Sequence, residues 1–176
     1  MGSPQALSEA DRRIVASWAA DCAERVLAVF ESESPADGRP RNAIPRTRAF
    51  ARGELDAAGE IRRRFVAGRA ARDVTSPSAV AAARAAAQAA GVAHMGAHAL
   101  GAAAYAAKAA GLSRPDHIDA VRDEIRWQLD QLSPEAKAAL RRLPLLGEDR
   151  SGPLGPGLLS RGVLAANIRA IQAGLA

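Results

Sequence analysis

Residues 79–111 read AVAAARAAAQAAGVAHMGAHALGAAAYAAKAAG, and this run decides the fold. Alanine has the best intrinsic helix propensity and buries little area per residue. The run is therefore helical, and its small side chains let neighbouring backbones come close. Gly91, Gly96 and Gly101 each weaken a helix by about 1 kcal/mol relative to alanine, which predicts a break between Gly91 and Gly101. Ser76 and Pro77 supply a start signal. The segment reads as a hairpin of two helices, about 77–94 and 98–110.

Towards the N-terminus, Ser8 is placed to cap a first helix whose opening turn carries Glu9 and Asp11, where the helix dipole favours negative charge. Ile14, Trp18, Cys22, Val26 and then Val29 or Phe30 form one apolar stripe, and the helix ends near Phe30. The turn-forming stretch ESESPADGR follows at 31–39. Pro40 suits the first position of a short second helix that stops at Gly53. A third helix from about Leu55 to Arg72 places Leu55, Ala58, Ile61, Phe65 and Gly68 on one side. Arg62, Arg63, Arg64 and Arg69 mark its wetter flanks.

Towards the C-terminus, Ser113 to Pro115 opens a helix in which Ile118, Val121, Ile125, Leu129 and Leu132 recur at helical spacing, with Trp127 off the stripe. Ser133, Pro134 and Glu135 start another, through Leu143. Residues 144–157, PLLGEDRSGPLGPG, combine proline and glycine without periodicity and read as a linker. Leu158, Leu159, Val163, Leu164, Ile168 and Ile171 then form a last amphipathic helix, able to dock on the core or on a partner subunit. No strand pattern survives. The expected architecture is all-α, a single-domain bundle of about seven or eight helices around the alanine-rich hairpin. It divides into a helical domain 1–143, the linker 144–157 and a C-terminal helix 158–176.

A length of 176 residues suits one domain, and 48% apolar with only 3% aromatic residues means a thin-walled core of closely approaching helices. The net charge of +5 comes from arginines scattered among acids, which reads as a solvated surface and not as a specific nucleic-acid site. With one cysteine, Cys22, no internal disulfide can form. Residues 1–13 are polar and carry no signal-peptide pattern. The longest apolar stretch, 89–107, is mostly alanine and glycine and is interrupted by His94 and His98, too weak for a membrane span. A cytoplasmic protein with no membrane partner is expected.

His94 and His98 are the most chemically suggestive pair, since a spacing of four puts both imidazoles on one helix face. HMGAH lacks the glutamate of the zinc-hydrolase motif, so neither metal nor cofactor is expected, and the pair reads as bonding to neighbouring helices or lining a polar pocket. Asp37, Arg39, Pro40 and Arg41 cluster at a helix start, either receiving an anion or closing the loop as a bidentate Asp–Arg pair. Asp21, beside Trp18 and Cys22, could pair with Arg25 or Arg48 or stay solvated. Cys22 sits where an inert buried thiol belongs. Tyr105 and Trp18 either line a pocket with the histidines or pack in the core with their polar tips bonded.

The motifs SWAADCAERVLAVFE, DGRPRNAI, RAFARGE and AAGVAHMGAHALGAAAYAAKAAG together resemble the immunity-protein-five-like family of bacterial polymorphic toxin systems, over about residues 8–132. The resemblance implies a noncatalytic self-protection protein that binds a cognate protein toxin or a toxic small molecule. It carries over Trp18, Asp21, Cys22, Glu24, Arg25, Asp37, Arg39, Pro40, Arg41, His94, His98 and Tyr105 as partner-binding or family residues, none with a catalytic role. Gln88 and Gly68 stand where further histidines are expected. Inhibitors that compete with nucleic acid are commonly acidic, so a net basic chain argues against a nuclease target. The alternatives are a small enzyme of a biosynthetic or resistance locus, with a pocket lined by His94, His98, Tyr105 and Asp21, and an assembly role in which the terminal helix joins copies of the chain.

Overall fold

The computed structural model describes residues 2–176, and every regular element among them is helical. The chain runs through α1 (Glu9–Arg25), α2 (Leu27–Glu31), α3 (Arg39–Ala51), α4 (Ala57–Arg63) and α5 (Val66–Ala70). The hairpin follows as α6 (Pro77–Gly91) and α7 (His98–Ser113), then α8 (Ala120–Asp130), α9 (Pro134–Leu140), a 3-10 turn Leu158–Ser160 and α10 (Gly162–Gly174). Four helix starts are set by side chains written in the sequence. Ser8, Asp56, Ser76 and Ser133 each accept a hydrogen bond from the backbone N–H three residues on, satisfying a donor that the first turn leaves without a partner.

The hairpin is the centre of the bundle. Every residue from Ala99 to Ala107 is buried, because α7 is covered by α1, α6, α8 and α10. Methyl-only side chains along α6 and α7 let the two helices lie against each other, and the larger residues that fill the remaining space come from the outer helices: Trp18, Phe30, Ile44, Phe50, Leu140, Ile168 and Ile171. Two buried amides lock the outer helices to the central one. Gln128 Nε2 on α8 donates to the Ala103 carbonyl at 3.1 Å, and Asn167 Nδ2 on α10 donates to the Ala104 carbonyl at 3.0 Å. A buried amide without such a partner costs roughly 1–3 kcal/mol, so these bonds fix register.

Three expected helices differ. The first breaks at Val26, whose N–H turns back to Ala23 in a tighter bond, so that α2 leaves at a new angle with Phe30 in the core. The third divides at Arg64–Phe65 into α4 and α5. Its expected apolar side does not form: Phe65 is 61% exposed, and the buried residue of α4 is Glu60, ion-paired with Arg46. The helix expected to open at 113–115 begins only at Ala120, and Ile118 stands 95% exposed in the connection.

Residues 144–157 contain no helix but are pinned to the core by the buried side chain of Gln5. Its Nε2 donates to the Ser151 carbonyl, while its Oε1 accepts from Leu154 N at 2.8 Å, and Leu154 is fully buried. Gly152 has φ +65°, and a Cβ there would press on Gln5 and Met95. The tight fold-back needs glycine on both counts. Beyond it, α10 lays Leu164, Ile168 and Ile171 onto α7 and α8, and of the stripe expected to choose between core and partner these three and Leu159 are buried within this chain while Leu158 and Val163 stay exposed.

Candidate functional site

The α6–α7 connection carries both histidines. Residues 92–97 form turns, and Gly96 N and Ala97 N are held by the carbonyls of Ala6 and Gln5. His98 begins α7, with its imidazole laid against Gly91 at the end of α6, where a Cβ would come within 3.0 Å of the ring. The two imidazole centroids are 6.5 Å apart. Gln88 on α6 meets His98 Nδ1 at 2.8 Å, and the carboxamide fits because residue 101 opposite it is a glycine. The bond to the Gln88 Oε1 acceptor makes Nδ1 the protonated nitrogen and leaves Nε2 as the acceptor.

An open hollow of about 720 Å3 lies beside this pair, between α5 and α6. Its charged wall is Arg64, Arg69, Arg72 and Arg84, and no carboxylate lines it. Among the described residues none of these four arginines is ion-paired. Arg64 lies over the ring of Phe65, 4.3 Å from its centroid, and that ring forms part of the rim. A second hollow of about 390 Å3 meets the first at Gln88, His94 and His98, and its far wall is Gly152, Pro153, Gly157, Leu158 and Leu159. The fold-back anchored by Gln5 therefore forms one side of the histidine site.

Burial, then the nearby His94 and Arg64, lower the His98 pKa to about 4. An unfolded histidine binds its proton near pH 6.5. Between those values the unfolded chain holds more protons than the folded one, so stability falls as pH drops through that window and the contribution is complete above it. The expected loss between pH 7 and pH 4.5 is about 2 kcal/mol. Denaturant midpoints for the native chain and His98→Asn check this: the variant should lose most of the extra acid sensitivity, and an unchanged pH dependence would assign it elsewhere.

The other expected residues fall into two groups. Trp18, Cys22 and Tyr105 are buried and do not line the hollows. Trp18 Nε1 donates to the Gln128 carbonyl at 2.7 Å. The Cys22 thiol is pushed well up in pKa by burial and by the charges of Glu124 and Asp21, which keeps it an unreactive thiol. Burial also raises Tyr105, with Arg84 of the groove opposing the shift. Asp21 and Glu24 both take Arg48, at 2.7 and 2.6 Å. Asp37 holds Arg39 through both carboxylate oxygens, which lowers its pKa, and Arg39 also reaches Asp73 at 2.5 Å. Arg41 pairs with Glu31. The cluster at the start of α3 is thus closed on its own acids; Arg39 borders a smaller hollow of about 270 Å3, in which Arg46 is likewise taken by Glu60.

Sequence reading marked Arg64 and Arg69 only as wet flanks and did not single out Arg72 or Arg84. No local signal separates them: residues 61–72 carry arginines and no acid, but so do residues 39–53, whose five arginines all find acids in the fold. A buried charge was also missed: Glu124 on α8 is raised in pKa by burial and paired with Arg25, whose guanidinium covers Trp127. Among the described residues no group of three or more His, Cys, Asp or Glu side chains could hold a metal ion. No helix there is long and apolar enough to cross a membrane.

Comparison with curated proteins and with solved structures finds no match to the chain. Against protein families the result is positive: residues 5–135, from the fold-back anchor Gln5 through the start of α9, match one family along most of the chain. The protein belongs to the family described as "Imm-5 like putative immunity protein".

Proposed function

We propose that the protein is a noncatalytic self-protection factor that binds a cognate toxin at the groove centred on His94 and His98. The observation that carries this reading is the composition of the groove wall. Four arginines without acidic partners face one opening, and the lining holds no carboxylate, hydroxyl or thiol that would serve as a nucleophile beside the histidines. Guanidinium groups left without an acidic partner are suited to carboxylates or phosphates brought by something else. Family membership supports the immunity role, and the groove supplies a surface through which it would act.

The test is co-expression with the toxin encoded at the same locus, scoring survival, and measurement of binding between the two purified proteins. Arg64→Glu with Arg69→Glu should weaken binding about 10- to 100-fold and abolish protection, because reversing charge places like charges across the contact. Full protection by that variant would move the binding surface away from the groove.

A second reading has one observation in its favour. A hollow of about 720 Å3 falls within the roughly 300–1,000 Å3 of small-molecule sites. An anionic toxic small molecule is the occupant in that case, and calorimetric titration with such compounds separates it from a protein partner.

A further inference from the structure

The groove has apolar ends as well as a cationic middle. Phe65 and Leu158 are 61% and 60% exposed. Single exposed apolar residues are ordinary on a protein surface, but these two line the two hollows that meet at Gln88, His94 and His98. One continuous lining therefore runs from Phe65 past the unpaired arginines to the histidines and on to Leu158. Aromatic residues and arginine are the types enriched where protein partners bind tightly.

We infer that the groove takes an acidic segment of a protein, with carboxylates over the arginines and an apolar side chain at either end, against Phe65 and Leu158. The inference rests on the toxin-binding reading and specifies what the toxin presents. A phosphate or nucleotide would satisfy the guanidinium groups but would leave both apolar ends in water. His98 adds an independent argument. With Nδ1–H committed to Gln88, Nε2 has no hydrogen-bond partner among the described residues, and the His98 ring lines both hollows, so a donor can reach it. A peptide backbone brings N–H groups, whereas a fully ionised phosphate brings acceptors alone. Leu158 lies beyond the residues matched to the family, which end at 135. This member's own C-terminal segment thus shapes one end of the groove and has a say in which partner fits.

The test uses the full chain and three labelled probes: a 12-residue peptide with a glutamate centre flanked by phenylalanine and leucine, its glutamine-centred analogue, and ATP, with inorganic phosphate as competitor. The acidic peptide should bind at least about tenfold more tightly than the glutamine analogue, and weaken with salt. Arg64→Glu with Arg84→Glu should cost about tenfold or more, Leu158→Ser about threefold, and Arg62→Glu with Arg169→Glu, the same charge change at exposed positions outside the groove, nothing measurable. If the double variant melts early, Arg69→Gln with Arg72→Gln, both exposed, replaces it.

Equal binding of the two peptides, no peptide binding at all, or displacement of the peptide by phosphate or ATP at lower concentration overturns the inference. The co-expression assay separates the two levels. Protection that survives charge reversal of the groove sinks the acidic-segment inference and leaves toxin binding elsewhere on the surface. A native chain that binds the acidic peptide yet gives no protection from the toxin sinks the toxin-binding reading alone.

Discussion

A chain ending at residue 144 is expected to lose its folded state. Residues 145–176 contribute Leu154, Leu159, Leu164, Ile168, Ile171 and Leu175 to the buried core. Each such side chain stabilises by roughly 1.5–3 kcal/mol when fully buried, so the six together contribute about 9–18 kcal/mol before ordering costs. That matches or exceeds the net stability of roughly 5–15 kcal/mol typical of a whole domain. Truncation also strips α7 of its α10 cover and leaves the Ala104 carbonyl without Asn167. Circular dichroism and a denaturant curve should show a broad, low-amplitude transition or none. A cooperative transition with an unchanged midpoint would mean that the terminal segment is an appendage after all.

Enlarging one methyl group at the heart of the hairpin should cost nearly as much per residue as any single change in the molecule. Ala103 is fully buried on α7, and its carbonyl is the acceptor for Gln128. Ala103→Leu adds three carbons where α7 is covered on all sides, and overpacking of this kind typically costs 1–3 kcal/mol or more. Because α7 is covered by four helices at interior packing density, room for the new carbons comes only from moving those helices or their buried side chains, and we expect about 3 kcal/mol or more. For a chain of this size that lowers Tm by about 6–12 °C. Ala166→Leu, at an exposed position of α10, is the matched control and should move Tm by no more than about 2 °C. A Tm for Ala103→Leu within that same margin would show that the hairpin holds slack the alanine packing does not suggest.

The helical character, the hairpin and its break between Gly91 and Gly101 were legible because local rules govern them: alanine propensity, serine caps at the starts of α1, α6 and α9, and glycine where α6 ends. His94 and His98 do lie together, with ring centroids 6.5 Å apart, but across the turn between α6 and α7 and not on one helix face as their spacing of four suggested. The rest of the candidate site was not legible. Arg64 and Arg69, before the hairpin, and Arg84, within its first helix, converge only because α5 packs on α6. Leu158 reaches the histidines only because Gln5, some 150 positions earlier in the chain, holds the fold-back in place.

Phe65, Ile118 and Glu124 show the limit from the opposite direction. Spacing alone assigned Phe65 and Ile118 to buried stripes and gave no hint that Glu124 would be buried, because periodicity describes an uninterrupted isolated helix and is silent on where a neighbour covers it. By itself the sequence determined that this protein is helical, that its central helices touch through alanine, and that both histidines sit at their junction. Tertiary structure alone decided which arginines keep no acid for themselves and which loop closes the groove, because charge pairing and cover are properties of elements brought together from distant parts of the chain.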